Sequence, residues 1–137
     1  MHWLLKSDPE TYGFDDLVRD GKTVWDGVKN PQALGYIGQM KAGDMALVYH
    51  SNEGKAIVGL ARITSDPYPD PKAKDPRLLV VDLAADRRLA RPVPLADIKA
   101  DPAFKDFALV RQARLSVMPV TPAQWNRLLA MAGMKAP

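Results

Sequence analysis

Length, composition and charge limit the classes of protein to which this chain can belong. Its 137 residues, 47% hydrophobic and 26% charged, suit one globular domain over residues 1–137. Because the chain has no Cys, a disulfide framework, a thiolate zinc site and a thiol nucleophile are excluded. The net charge of +3 permits contact with phosphates, but Lys and Arg are interleaved with acids, so the dense basic stripe of a nonspecific nucleic-acid binder is missing.

The first residues of the chain predict a strand and no export signal. The apolar run in residues 1–6 is far shorter than that of a signal peptide, and Asp8-Pro9 follows it at once. We therefore expect neither export nor a membrane span from this segment, and a cytoplasmic protein. Residues 2–6 predict a short strand rich in large apolar groups, which ends before Pro9 because proline cannot donate to a ladder.

Helical spacing then appears twice. In residues 14–19 the apolar side chains share one helical face, acids occupy the first turn, and Gly21 is a stop signal, so a short helix is predicted. Residues 31–40 predict a second helix that begins at Pro31. This helix is weaker, because each of its two internal glycines costs up to about 1 kcal/mol relative to Ala.

The middle of the chain predicts strands. Residues 45–50 and 55–64 are expected to form a hairpin, in which Gly59 marks a bulge or a close approach by another group. Residues 78–83 predict a further strand. The four prolines in residues 65–76 exclude regular structure there, and predict a surface loop over an edge or a site.

The last third predicts a small helix at 95–100, a strand at 114–120 that closes the sheet, and a C-terminal helix. Thr121 is a good N-cap, Pro122 suits the first helical position, and Gln124 can return a hydrogen bond to the cap. Short strands with non-alternating connections favour an α/β fold of the α+β type, with a closed or strongly curved mixed sheet and peripheral helices.

Residues 25–30, Trp-Asp-Gly-Val-Lys-Asn, are interpreted as a binding loop for a planar polar ligand such as a nucleobase. Trp25 offers a broad flat face, the Asn30 amide can donate and accept hydrogen bonds, and Gly27 lets the backbone approach a ligand closely. The alternative, in which Trp25 anchors the core and Asp26-Gly27 forms a turn, stays open.

The sequence resembles the EVE domain family in blocks that follow the family's order and spacing along the whole chain. The blocks are Trp3-Leu4-Leu5-Lys6-Ser7, Trp25-Asp26-Gly27-Val28-Lys29-Asn30 followed by Ala33, Met40-Lys41-Ala42-Gly43-Asp44, Tyr49-His50-Ser51, Gly59, Tyr68-Pro69-Asp70 and Arg114-Leu115-Ser116-Val117-Met118-Pro119. The resemblance implies a PUA-like fold related to YTH and ASCH domains, a small mixed β pseudo-barrel with peripheral short helices and a C-terminal helix. Lys29 stands where the family most often has Arg, and Pro31 where it commonly has an aromatic residue.

The resemblance also implies a pocket for a modified base of DNA or RNA. The candidate ligand-binding residues are Lys6, Ser7, Trp25, Val28, Lys29, Asn30, Tyr49, His50, Ser51, Tyr68, Asp70 and Arg114. Trp25 is expected to stack on the base. Asn30, Ser7 and Ser51 are expected to hydrogen-bond to its edge.

Several of these residues keep a structural alternative. Lys6 is either a solvated strand end or a contact to a phosphate or base edge. Arg114 either ties the last strand to its neighbours or forms a cationic rim. Tyr68 and Asp70 are either a packed aromatic with a turn acid or part of a lid, which we favour. His50 alone is more often a hydrogen-bonded structural residue than a catalytic base.

The expected function is recognition of a modified nucleic-acid base, for example a methylated or hydroxymethylated one, through an aromatic and polar pocket. The alternatives are a protein-interaction or structural module and, less favoured, an enzyme acting on a nucleobase. An enzyme is disfavoured because the sequence lacks a nucleophile elbow, a phosphate-binding Gly loop and the zinc ligands of a deaminase. We expect no metal, no cofactor, no membrane contact and a monomer.

Overall fold

A mixed β-sheet organises the computed structural model, which describes residues 1–52 and 54–134. Over that part of the chain the sheet has seven strands. They are β1 (His2–Ser7), β2 (Lys22–Trp25), β3 (Met45–His50), β4 (Ala56–Ile63), β5 (Tyr68–Pro69), β6 (Leu79–Pro94) and β7 (Val117–Val120). The order across the sheet is β2-β6-β4-β3-β1-β7, with β5 paired to β6. β2 and β7 are therefore the two edges.

Short helices surround the sheet. They are α1 (Pro9–Tyr12), α2 (Phe14–Asp20), α3 (Pro31–Ile37), α4 (Leu95–Ala100), α5 (Ala108–Arg111) and α6 (Pro122–Met131), with a 3₁₀ turn at Pro102–Phe104. The predictions of α2, α3, α4 and α6 are confirmed, although α3 ends at Ile37 rather than at residue 40. The sequence reasoning missed α1 and α5, each of which is a single turn. None of the helices in residues 1–52 and 54–134 has the length and apolar character needed to cross a bilayer.

The centre of the sheet explains the unbroken apolar runs in the sequence. β1 pairs in parallel with β3 and antiparallel with β7. Trp3, Leu4 and Leu5 are all fully buried, and so are Ala46 and Leu47 on β3. Because central strands of this sheet are covered on both faces, their side chains do not alternate between apolar and polar. The strand predicted at residues 2–6 and the hairpin of β3 and β4 are confirmed.

Gly59 performs both roles expected of a glycine inside a strand. The pairing of β4 shifts register between Ile57 and Gly59 against both β3 and β6, and again between Leu60 and Ala61 against β6. A Cβ built at Gly59 would lie 2.2 Å from a ring carbon of Phe14. The glycine therefore lets the first residue of α2 pack directly on the strand backbone.

The strand predicted at residues 78–83 is much longer in the structure, because β6 continues to Pro94. Its second half was missed because it carries charged residues and two prolines. Residues 89–92 lie outside the regular pairing with β4, between the pairs Gly59–Arg88 and Ile57–Val93. A proline is tolerated at such an irregularity because no ladder bond is lost there.

The irregular segment of β6, residues 89–92, is hydrogen-bonded to the end of the C-terminal helix α6. The Arg91 amide donates to the Ala132 carbonyl at 3.2 Å, and its side-chain Nε donates to the Met131 carbonyl at 2.9 Å. A cation at this position also offsets the negative end of the helix. At the other end of α6 the predicted capping box is confirmed, with Thr121 and Gln124 exchanging hydrogen bonds of 3.0 and 3.1 Å.

Two predictions about loops are wrong. Trp25 does not lie in a loop but is the last residue of β2, where it pairs with Val81. The Pro-rich segment 65–76 is not free of regular structure, since Tyr68–Pro69 forms β5 and pairs with β6. Pro69 fits there because β5 lies outside the main strand order and, among the residues that the structure describes, pairs with β6 alone.

Candidate functional site

A cleft of about 740 Å³ lies between edge strand β2 and the end of β1, and we refer to it as the Trp25 cleft. Its lining comprises Lys6, Ser7, Asp8, Thr11, Tyr12, Thr23, Val24, Trp25, Asp26, Gly27, Val28, Lys29, Lys72 and Ser116. The two walls are not neighbours in the sheet, because three other strands, β6, β4 and β3, separate β2 from β1 in the strand order. The cleft therefore opens beside β2, on the edge of that strand that faces away from β6.

Trp25 contributes both to the cleft and to the packing of the interior. Its side chain is half-buried and packs against the core, as does that of Val28. Both residues also line the cleft. Gly27 between them has a φ of 78°, which favours glycine and turns the chain sharply after β2. The two interpretations of this segment, a core anchor with a turn and a ligand-facing aromatic, are thus compatible with each other.

The ammonium group of Lys6 lies at the inner wall of the cleft. Its Nζ donates to the Ala113 carbonyl at 2.9 Å and lies 5.8 Å from the centre of the Tyr49 ring. Burial lowers the pKa of Lys6 below the usual lysine value. An ammonium group has three donors, so the contact with Ala113 leaves two for a ligand. Lys6 is therefore more than a solvated strand end.

The polar groups at the end of β1 and around α1 mostly form hydrogen bonds with other groups of the protein. Ser7 Oγ donates to the Tyr12 carbonyl, and Asp8 accepts from the Glu10 amide at 3.0 Å and from Asn52 Nδ2 at 2.8 Å. The Tyr12 hydroxyl donates to Asp20 at 2.9 Å, and burial is the main cause that raises the pKa of Tyr12. These bonds fix the wall and leave it few free side-chain donors.

Two exposed lysines give the cleft a cationic rim. Lys29 follows the turn after β2, and Lys72 belongs to the Pro-rich segment. The acids Asp8 and Asp26 also line the cleft, so its charge is mixed. This arrangement can contact a small number of phosphates, whereas a long stretch of nucleic-acid backbone would need a continuous basic track.

The Pro-rich segment reaches the cleft through a residue that the sequence reasoning did not select. Tyr68 donates from its hydroxyl to Asp82 at 2.5 Å, a contact that raises the pKa of Tyr68 to about 12. Asp70 accepts from the amide of Lys72 at 2.9 Å and shapes the turn. Tyr68 and Asp70 therefore fix the segment to the sheet, and Lys72 is its member that lines the cleft.

Of the twelve candidate residues, five line the cleft, namely Lys6, Ser7, Trp25, Val28 and Lys29. The other seven, Asn30, Tyr49, His50, Ser51, Tyr68, Asp70 and Arg114, do not line it. Ligand contacts by these seven residues stay predictions. Arg114 is exposed and lies in a turn, two residues before Ser116, whose carbonyl accepts from the Lys6 amide.

Besides Tyr68 and Asp70, four of those seven residues have structural roles in the described chain. Asn30 caps α3, with its Oδ1 accepting from the Ala33 amide at 3.1 Å. Tyr49 is only 4% exposed and lies beneath Lys6. Nε2 of His50 accepts from the Phe14 amide at 2.9 Å, and burial lowers the pKa of His50, which favours the neutral ring that this bond requires. Ser51 donates from its amide to the Ser7 carbonyl at 2.8 Å.

The sequence reasoning missed several lining residues for identifiable reasons. Asp26 and Gly27 lie inside the selected block, where Gly27 was expected to allow close approach to a ligand and Asp26-Gly27 alternatively to form a turn, but neither was selected as a ligand-binding residue. Thr23 and Val24 were not considered, because β2 was not predicted. Lys72 is one of two basic residues of the predicted lid, with Lys74, so charge alone could not have shown which of them lines the cleft. Residues 1–52 and 54–134 contain no group of three or more His, Cys, Asp or Glu that could hold a metal ion.

Comparison with known proteins identifies the family. The family model of the EVE domain matches residues 1–131. The chain belongs to the EVE domain family. Human thymocyte nuclear protein 1 is 32% identical over 164 residues, which cover 95% of this chain and 73% of the human protein.

Solved structures of EVE domain relatives agree with the fold described above. A crystal structure of an Agrobacterium tumefaciens protein, 36% identical, has a TM-score of 0.96 and covers 99% of this chain and 95% of its own. A crystal structure of the human THYN1 protein in complex with 5-methylcytosine containing DNA is 32% identical, has a TM-score of 0.89 and covers 99% of both chains. The family inferred from the sequence blocks and its PUA-like fold class are both confirmed.

The two departures from the family pattern have clear positions in this EVE domain. Lys29 lies on the rim of the Trp25 cleft, where a cation remains available even though Arg is absent. Pro31 is the first residue of α3, a position at which a missing amide hydrogen costs no helical hydrogen bond. Asn30 caps the same helix directly before it. The turn from β2 into α3 is thus built from Gly27, Asn30 and Pro31.

Proposed function

We propose that this EVE domain binds nucleic acid by taking one modified cytosine, of the 5-methylcytosine type, into the Trp25 cleft. The observation that carries the proposal is the human relative bound to 5-methylcytosine containing DNA, which matches this chain over 99% of its length at 32% identity. In this proposal the protein recognises the base without changing it chemically.

The size and lining of the cleft support a single base as the ligand. Its volume of about 740 Å³ lies within the range of small-molecule sites, roughly 300–1,000 Å³. A base stacked on an aromatic side chain gains about 1–3 kcal/mol. Extruding a base from a duplex costs a few kcal/mol, and less where the base is unpaired or damaged. Stacking on Trp25 offsets most of that cost.

The cations of the cleft divide into one inner and two outer groups. Lys6 lies at the inner wall and donates one hydrogen bond to the Ala113 carbonyl. Its remaining donors then serve a base acceptor or the phosphate next to the extruded base. Lys29 and Lys72 lie at the rim, and both are exposed. We assign to them the phosphates that flank the base.

The test of the proposal measures the binding of a fluorescently labelled single-stranded oligonucleotide that carries one 5-methylcytosine. Wild-type protein is expected to bind, and Trp25→Ala to lose about 1–3 kcal/mol of binding free energy. Trp25→Phe, which retains an aromatic face, should lose less. Trp3 and Trp125 are 0% and 2% exposed, so their near-UV signals report whether each variant is folded. Full affinity in a folded Trp25→Ala variant would contradict stacking.

The salt dependence of binding tests the division of the lysines. Each phosphate contact contributes roughly −0.9 to the slope of log affinity against log salt for duplex DNA and roughly −0.7 for single strands. Lys29→Ala and Lys72→Ala should each flatten the slope by about that amount. Lys99→Ala, an exposed lysine on α4 that does not line the cleft, is the matched control. If Lys99→Ala flattened the slope equally, the salt dependence would reflect the total charge of the protein and not phosphate contacts at the rim.

A further inference from the structure

We propose that the main chain of Val24, on the open edge of β2, reads the donor and acceptor pair of the base. This inference rests on the proposed function and specifies how the Trp25 cleft recognises a cytosine. In an antiparallel pair, residues alternate between those that exchange main-chain hydrogen bonds with the partner strand and those whose amide and carbonyl point away from it. The position of Val24 in this alternation decides the question.

The first evidence comes from the start of β2. The Ala85 amide donates to the Gly21 carbonyl at 2.9 Å, so Gly21 and Ala85 form a hydrogen-bonded pair. The register continues with Lys22 opposite Ala84, Thr23 opposite Leu83, and Val24 opposite Asp82. Alternation therefore makes Thr23 a bonded residue, and places Val24 among those that point away from β6.

The second evidence is independent and comes from the opposite residue. The Asp82 amide donates to Ser65 Oγ at 2.9 Å, and the Asp82 carbonyl accepts from the Thr64 amide at 2.9 Å. Thr64 and Ser65 directly follow β4, which is the neighbour of β6 on the side away from β2. Because Asp82 gives both main-chain groups to that side, Val24 receives neither of them. Its own amide and carbonyl are directed out of the sheet.

Val24 lies where those two groups meet the cleft. β2 is an edge of the sheet, and Val24 lines the Trp25 cleft between Thr23 and Trp25. The residue is 42% exposed, so the strand is uncovered at this position. A base that stacks on Trp25 removes water from the neighbouring main chain, and an amide left without a partner then weakens binding. A ligand that pairs with both groups avoids that loss.

The edge of cytosine matches this pair. The amide and carbonyl of one extended residue point to the same side of a strand, so Val24 offers a donor next to an acceptor. Cytosine carries an acceptor at N3 next to the donor of its 4-amino group. The Val24 amide then donates to N3, and the Val24 carbonyl accepts from the amino group. Methylation at C5 leaves both atoms free, so the main chain recognises the cytosine and other contacts read the methyl group.

Proline tests the amide without removing the strand. Val24→Pro deletes the outward amide hydrogen, and an edge strand tolerates proline where that hydrogen faces away from its neighbour. Val24→Ala is the matched control, because it shortens the side chain and keeps the amide. With the 5-methylcytosine oligonucleotide we expect an affinity loss of about tenfold for Val24→Pro and of less than about threefold for Val24→Ala.

A base analogue completes the experiment. Replacing N3 by CH, in 3-deaza-5-methylcytosine, should cost wild type and Val24→Ala about tenfold but cost Val24→Pro nothing further, because its partner is already absent. Val24→Pro binding as tightly as Val24→Ala would overturn the inference and leave the proposed function intact. Should Val24→Pro fail to fold, equal wild-type affinity for both bases overturns it instead. Failure of wild type to bind the 5-methylcytosine oligonucleotide would reject both.

Discussion

Substituting Gly59 by Ala tests the packing that fixes α2 to the sheet. A Cβ at this position would lie 2.2, 2.3 and 2.5 Å from three ring atoms of Phe14, where carbon atoms cannot remain. The ring has little freedom to move, because Phe14 is 1% exposed and the Arg88 guanidinium lies 5.5 Å from the ring centre. Either Phe14 or β4 must shift.

The size of the effect follows from two opposing contributions. Overpacking of a well-packed core costs about 1–3 kcal/mol. Replacing Gly by Ala also restricts the unfolded chain, which stabilises by about 0.4–1 kcal/mol where the backbone conformation suits Ala. Gly59 has no positive φ, so that gain applies in full. The expected net result is a loss of about 1–2 kcal/mol in the free energy of unfolding.

Urea denaturation of two alanine variants measures this loss. Gly35 is the matched control, because it lies inside α3, has no positive φ, and its added Cβ meets no heavy atom within 4 Å. Gly35→Ala should stabilise by up to about 1 kcal/mol. Adding Phe14→Leu to Gly59→Ala should cost less than the two single changes together, because the smaller side chain removes the overlap. Gly59→Ala as stable as Gly35→Ala would refute the reasoning.

Substitutions at three further candidate residues test the hydrogen bonds that these residues form within the protein. Burial lowers the pKa of His50 below its usual value of 6.5, so His50 binds a proton more readily in the unfolded chain than in the folded protein. The free energy of unfolding is therefore expected to fall as the pH drops below about 6.5. His50→Gln should weaken this pH dependence of stability, measured in melts between about pH 7.5 and 5. Asn30→Ala should lose about 1 kcal/mol of stability in urea melts and Asn30→Asp much less, because aspartate also caps a helix. Tyr68 keeps its bond to Asp82 below about pH 10 and loses it toward its pKa of about 12, so Tyr68→Phe should remove the latest tyrosine step from an absorbance titration.

Elements with local signals could be predicted from the sequence. β1 and β3 are runs of large apolar residues, and such runs form strands wherever both faces are covered. The start of α6 needs only Thr121, Pro122 and Gln124, which act within one helical turn. Gly59 was recognised as a close approach, although the sequence could not say that Phe14 fills the space. These features depend on neighbours in the chain or on composition.

Elements that depend on distant partners could not be predicted. β2 has four residues, Lys-Thr-Val-Trp, and exists because β6 pairs with it. β6 itself runs through Asp86, Arg87 and Arg88, which favour no strand by themselves. The pairing with β4 and the irregularity at residues 89–92 hold that half in place. Register between segments that are far apart in sequence is a tertiary property, so it leaves no local pattern.

The candidate site was predicted best at Trp25, whose side chain is large enough to pack against the core and to line the cleft as well. Trp25 was identified because a large aromatic beside Gly27 suits a ligand, and it does line the cleft. Asn30 and His50 carry the same hydrogen-bonding atoms whether they face a ligand or a backbone amide. In the structure their oxygen and nitrogen acceptors go to Ala33 and Phe14. Residue type alone does not distinguish these two uses.

The main-chain recognition proposed for Val24 would leave no side-chain pattern in the sequence of β2. Every residue except proline carries the same amide and carbonyl, so a strand that reads a ligand through its backbone requires no particular side chain. What selects Val24 is its position, since β2 is an edge and Val24 points away from β6. The sheet leaves that edge unpaired beside Trp25, in the same cleft. In the proposed recognition, stacking by a side chain and pairing by the adjacent backbone therefore come from two consecutive residues of one short strand.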